Sequence, residues 1–151
     1  MSERGTRRDV PIKPQLPAWE LGKRLREEAI VSCDSGTITT WWAHQVPVKR
    51  SQMHAVSGSM ESMACVVPCA IAAQVAYPER QCIAIAGDGG FTMLMAELAT
   101  CARYALPVKV SVFKSDTLGQ IKWEHLVFLG NPECGCELQP SSPPRSRVHA
   151  R

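Results

Sequence analysis

The chain has 151 residues, 45% of them hydrophobic, which is enough to bury one core and, at this size, to form one domain. Its formal charge of +3 comes from basic residues interspersed with acidic ones, and no aromatic-lined basic stripe appears, which argues against a nucleic-acid binder. No apolar run approaches the ~20 residues that a membrane-spanning helix needs.

Taken in chain order, residues 1–16 are charged and proline-punctuated, and read as a linker or N-terminal arm. The expected domain covers 17–137, and residues 138–151, rich in Pro, Ser and Arg, are expected to be a disordered tail. Leu21 and Leu25, four apart and flanked by charges, predict a helix over Trp19 to Glu28. The run AIVSCD (Ala29 to Asp34) predicts a short strand that ends in polar residues and Gly36. Met63 to Tyr77 has helical composition, with Pro68 suited to the first turn. Gln81 to Asp88 reads as a buried strand by its length and β-branched content. Phe91, Leu94, Met95, Leu98 and Ala102 then recur at helical spacing. Pro107 to Phe113 predicts the next strand, and LGQIKWEHL the start of another helix. This β-α-β-α-β order, with three clear strands that are nearly continuous apolar runs, predicts an α/β fold: a doubly wound parallel sheet, covered on both faces and incomplete as a single domain.

Seven cysteines, an odd number, fall mostly among apolar neighbours and read as small buried hydrophobes. With an N-terminus, MSERGTRRDVPIKP, that lacks an apolar signal core, they point to a reduced, cytoplasmic setting. Cys134 and Cys136 form a C-x-C pair without a second pair at zinc-ligand spacing, so a plain loop is expected. His44, His54, His125 and His149 are not at metal-ligand spacing either. No G-x-G-x-x-G, P-loop lysine or G-x-S-x-G elbow is present.

The chemistry concentrates at Gly87-Asp88-Gly89-Gly90, where the second predicted strand turns into a helix. In open parallel sheets, ligands sit at the carboxyl ends of strands. Asp34, Asp88 and Lys114-Ser115-Asp116 all fall at such ends. Glycines permit a sharp turn and expose amide N–H groups, which together with a helix N-terminus suit an anionic phosphate. A carboxylate beside phosphate would repel it unless a hard cation such as Mg²⁺ bridges the two.

The segment AIAGDGGFTMLMAELATCARYALPVKVSVFKSDTLGQIKWE resembles the diphosphate-binding domain of thiamine-diphosphate-dependent enzymes of the pyruvate oxidase and acetolactate synthase group. The motif of that family opens with Gly-Asp-Gly and closes about two dozen residues later with Asn-Asn; here the 24 residues Gly90 to Phe113 separate Gly87-Asp88-Gly89 from Lys114-Ser115. The resemblance implies thiamine diphosphate and Mg²⁺ as cofactors. It implies Asp88, Ser115 and the Thr117 carbonyl as metal ligands, with Gly36, Thr37, Gly87, Gly89, Gly90 and Ser115 at the cofactor. In SGSMESMACVVP, the spacing of the family's Ser/Thr-Met element to a proline selects Ser62 and Met63 rather than Met60, with Met63 beneath the thiazolium.

Three departures accompany the resemblance. Lys114-Ser115-Asp116 replaces the amide-bearing pair, and a serine hydroxyl is a shorter, weaker ligand, for which Asp116 is a candidate substitute. Glu61 stands where a small residue is usual. Nothing before Leu16 is long enough for the pyrimidine-binding domain whose glutamate activates the cofactor. The expectation is therefore a fragment that binds the cofactor of a 2-oxo-acid decarboxylating enzyme, with no catalytic residue of its own. A homo-oligomer, or a partner chain with the pyrimidine-binding domain, would complete the site. The alternatives are a non-catalytic α/β interaction module and one subunit of a split enzyme.

Overall fold

The computed structural model describes residues 5–130 and 135–138. The expectations for Cys134, for His149 and for the tail beyond residue 138 fall outside them. Four strands, β1 (Ile30–Cys33), β2 (Met53–Val56), β3 (Cys82–Gly87) and β4 (Lys109–Phe113), form one parallel sheet in the order β2-β1-β3-β4. Ile30 pairs with both Met53 and Cys82, and Ile83 pairs with Lys109. The α/β parallel architecture is as expected, with one strand more than the three expected from the sequence.

Because side chains alternate across a strand, the sheet divides its apolar residues between two cores. Val31, Cys33, Ile83 and Ile85 point to one face and pack with Ala18, Leu25, Ile38 and Val46. Ala84 and Ala86 point to the other and pack with Val66, Val67, Ala70 and Ile71. The central strands β1 and β3 are buried on both faces, which is why they read as continuous apolar runs. Full burial of a side chain such as Ile85 contributes about 1.5–3 kcal/mol.

The helices on the first face are α1 (Gln15–Arg24) and α2 (Thr37–Gln45). Helix α1 starts four residues before the expected Trp19 and ends at Arg24, four before the expected Glu28. Pro17 lies in its first turn, where the missing N–H costs nothing, so a proline that suggests a linker instead opens a helix. Helix α2 has no counterpart among the expected elements. Its Thr37-Ile38-Thr39-Thr40-Trp41-Trp42 run has poor intrinsic helix propensity, and packing of Ile38, Trp41 and Trp42 on the first core overrides it. Strand β2 was also unforeseen: it is a four-residue edge strand, mostly exposed, with no apolar run to mark it.

On the second face lies α3 (Val66–Ala76), with Pro68 in its first turn as expected. The single helix expected from Phe91 onward is three short pieces: α4 (Asp88–Leu94), a 3-10 turn (Met95–Glu97) and α5 (Leu98–Arg103). Phe91 packs on the second core, but Leu94, Met95 and Leu98 are exposed. Their helical spacing marks an apolar face without a cover among the described residues. After β4 come α6 (Gly119–Glu124) and a wide turn (His125–Leu129), stopped by Gly130 in the left-handed conformation, φ 63°.

Cys33 and Cys82 are buried among apolar neighbours, and so is Cys136 of the expected plain loop, whereas Cys69, also set among apolar residues, is exposed on α3. His54 is structural: its Nδ1 accepts a hydrogen bond from Trp42 Nε1 at 3.2 Å, which ties α2 to the edge strand.

Candidate functional site

The chain leaves β1 for β2 on one side and returns on the other as β3, so β1 and β3 are neighbours whose following segments diverge. A crevice opens at the carboxyl ends of two such strands. Asp34 follows β1 and Asp88 follows β3, and both line a cleft of about 670 Å³. Its walls include Gly36 and Thr37 at the start of α2, the Gly87–Gly90 turn, Met63, and Ser115 and Thr117 beyond β4.

Asp88 is held mainly by backbone. Its Oδ2 accepts N–H bonds from Ser115 at 3.0 Å and Asp116 at 2.7 Å, and its Oδ1 accepts one from Gly89 at 3.2 Å. The Ser115 hydroxyl lies 3.5 Å from Asp88 Oδ1 and 3.1 Å from the Thr117 carbonyl oxygen. One carboxylate, one hydroxyl and one carbonyl therefore converge from segments more than two dozen residues apart. Asp116, considered above as a substitute ligand, has φ 55° and gives its carboxylate to an ion pair with Lys114.

The segment after Ser115 is braced from outside. Thr117 forms an antiparallel bridge with Glu137, the Leu118 N–H donates to the Cys136 carbonyl at 2.8 Å, and the Leu138 N–H donates to the Asp116 carbonyl at 2.9 Å. This short bridge sets the direction of the Thr117 carbonyl, and nothing in the local sequence announces it.

The glycines divide by role. Gly36, at φ 115°, occupies a conformation that L side chains rarely adopt, with open space around it. Gly87 also faces open space. Gly89 is enclosed by Leu118, Leu138 and Met63, whose methyl carbon would lie 3.7 Å from a Cβ there. Gly90 abuts Asp34.

The methionine element is split. Met63 lies in the loop before α3, half-buried in the cleft wall, while Ser62 is exposed and lies outside the lining. Met60 is 82% exposed, an ordinary loop residue. Glu61 does stand at the cleft, with a left-handed φ of 49°. Among the described residues, no three His, Cys, Asp or Glu side chains gather as a metal cluster; the oxygens beside the Asp88 carboxylate are a hydroxyl and a carbonyl.

Asp34 was placed at a strand end by the sequence but given no role there. Its side chain is fully buried. One oxygen, Oδ1, accepts the Ala64 N–H at 2.8 Å, and Oδ2 has no hydrogen-bond partner among the described residues. Burial pushes its carboxyl pKa above the usual range, against the lowering effect of the Ala64 and Ser35 amides.

Residues 34–149 match the family described as thiamine pyrophosphate enzyme, C-terminal TPP binding domain. A Bacillus subtilis protein named as thiamine pyrophosphate-containing, YdaP, is 39% identical over 134 residues, which is 89% of this chain and 23% of that protein. The acetolactate synthase large subunit of Lactococcus lactis is 33% identical, covering 78% of this chain and 20% of its own length. Acetolactate synthase 1 of rice, a chloroplast protein, is 34% identical, covering 85% of this chain and 21% of its own. The chain thus spans about a fifth of the length of these relatives. With a family match over most of its length and the expected parallel sheet, the chain belongs to the C-terminal thiamine-pyrophosphate-binding domain family of thiamine pyrophosphate enzymes.

Proposed function

We propose that this chain binds the diphosphate end of thiamine diphosphate through Mg²⁺, as one half of a site for decarboxylating 2-oxo acids. The convergence of Asp88 Oδ1, Ser115 Oγ and the Thr117 carbonyl at the switch-point crevice carries this reading. All three are hard oxygen donors of the kind Mg²⁺ prefers, and the Ser115 hydroxyl lies 3.1 Å from the Thr117 carbonyl oxygen and 3.5 Å from Asp88 Oδ1. Asp88 Oδ2 is occupied by two backbone amides, which leaves Oδ1 as the oxygen with room for a metal.

The remaining residues supply shape. The nine-residue α2 directs its N-terminus, with Gly36 and Thr37, into the cleft, where backbone N–H groups favour an anion. Gly87 leaves open space beside the backbone. Met63, from the opposite wall, offers an apolar, adaptable surface for a heterocycle. Bound there, the cofactor would supply an electron sink for carbanion chemistry, while the protein binds, orients and excludes water. No side chain of this chain is assigned a proton-transfer step.

Calorimetric titration of the 151-residue chain with thiamine diphosphate and MgCl₂ tests the reading. Heat that disappears in Asp88→Ala supports it; no heat at millimolar ligand overturns it.

The reading also holds that a pyrimidine-binding domain faces this cleft. The exposed Met93, Met95, Trp123 and Phe128 support an apolar meeting surface over a lone monomer. Light scattering that shows a clean monomer at high concentration would count against self-association. A cytoplasmic location is proposed from the free state of the described cysteines. Among the described residues no helix is long and apolar enough to cross a membrane.

A further inference from the structure

The loop that presents Met63 is not an ordinary lead-in to a helix. Glu61 and Ala64 both have left-handed backbones, φ 49° and 70°, and neither is glycine. Such backbones are strained in residues other than glycine and persist only where surrounding structure imposes them. At Ala64 the imposing group is visible. Its N–H points into the protein and donates to Asp34 Oδ1 at 2.8 Å, across a separation of 30 residues.

The same carboxylate touches the other half of the cleft. Gly90, in the first turn of α4, lies so close that the position of a missing Cβ falls 1.8 Å from Asp34 Oδ2. Asp34 itself is anchored at both sides of its backbone. Its N–H donates to the Ile85 carbonyl of β3 at 2.9 Å, and its carbonyl accepts the Thr39 hydroxyl of α2 at 2.6 Å. A buried polar atom left without a partner is costly, so a carboxylate with an orphan Oδ2 is an odd choice for mere packing. An aliphatic side chain would pack there at less cost, but it could not accept the Ala64 amide.

We propose that Asp34 is a positioning residue for the cleft: its carboxylate holds the Ala64 amide and thereby sets Met63 at a fixed height opposite the Gly87–Gly90 turn. This rests on the proposed cofactor reading for its purpose, but not for its test. The bond ties one wall of the cleft to the end of β1, against which the other wall is packed through Gly90. Met63 then keeps its place against Gly89, its methyl carbon 3.7 Å from where a Cβ at Gly89 would lie.

The experiment uses the full chain, free of ligand, labelled for amide exchange and for methionine methyl NMR. In Asp34→Ala, the Ala64 amide should exchange at least tenfold faster and the Met63 methyl resonance should move toward that of a freely rotating side chain. The amides of Ile83 and Ile85 should keep their protection. Asp34→Asn retains an acceptor oxygen and should restore both signals, a rescue that a loss of general packing would not predict. Unchanged Ala64 exchange in a folded Asp34→Ala protein overturns the proposal. So does lost protection in Asp34→Asn, which also decides the matter if the alanine variant does not fold. A parallel titration with thiamine diphosphate and MgCl₂ should show at least tenfold weaker binding in Asp34→Ala and recovery in Asp34→Asn. If the parent chain binds no cofactor, the proposed function fails while the exchange result still decides the role of Asp34.

Discussion

Gly90 and Asp34, 56 positions apart in the chain, are in such close contact that the carboxylate occupies the space a side chain at position 90 would need. Asp34 has nowhere to retreat, since it is fully buried and bonded to the Ala64 amide. Gly90→Ala is therefore expected to lower stability by about 3 kcal/mol, at the upper end of overpacking costs. Gly87→Ala, with open space and an ordinary φ of −77°, should cost less than about 1 kcal/mol. Urea denaturation of the two variants checks the contrast, and equal costs would contradict it.

At the proposed metal site the weak member is Ser115, whose hydroxyl is 3.5 Å from the Asp88 carboxylate. Ser115→Asn offers a longer arm and a carbonyl oxygen. We predict tighter Mg²⁺-dependent binding of thiamine diphosphate by about tenfold, equivalent to about 1.4 kcal/mol. Calorimetry at fixed MgCl₂ would show it. Weaker binding in the asparagine variant would mean that the Ser115 side chain is not a ligand.

The pH dependence of stability should carry a signature of Asp34. Its pKa is raised on folding, chiefly by burial, so the native state holds the proton more tightly than the unfolded chain. This contribution is complete below the unfolded value, about 4, and is lost as pH rises through the folded value. Asp34→Asn carries no such proton. The stability of wild type relative to Asp34→Asn should therefore fall as pH rises through that window, measured by urea denaturation at a series of pH values. A flat difference would show that Asp34 titrates alike in both states.

Ala64 supplies a test of backbone strain. Its φ of 70° is one that glycine adopts without penalty, so Ala64→Gly should be neutral or stabilising by up to about 1 kcal/mol. The same change at Ala70, buried within α3, should instead cost about 1 kcal/mol. Thermal denaturation separates the two. A destabilised Ala64→Gly protein would indicate that the alanine methyl matters more than its backbone angle.

Much of the architecture was legible because periodicity and burial agree in the central strands. Val31 and Cys33 face one core, as do Ile83 and Ile85, and the alanines Ala84 and Ala86 face the other. A strand buried on both sides has no polar alternation, so its apolar run was unmistakable. The edge strand β2 lacked such a run. Helix α2 was hidden by threonines and tryptophans whose propensities favour strands. The stripe from Leu94 to Leu98 had the right spacing for one helix, yet the backbone breaks at the 3-10 turn and the stripe remains exposed.

The sequence by itself determined the parallel α/β plan and the grouping of Gly87-Asp88-Gly89 with Ser115. The first follows from apolar runs that must be covered, and local chemistry put Asp88 and Ser115 at strand ends; their grouping in one site was what the resemblance to a family motif implied. Tertiary structure alone decided that Asp34 sits beneath Gly90 and holds Ala64, and that residues 136–138 brace the Thr117 segment. Those contacts join residues with no pattern between them. They exist because placing β1 beside β3 brings their distant carboxyl ends to one crevice, where each buried donor and acceptor must be met by whatever chain lies nearest.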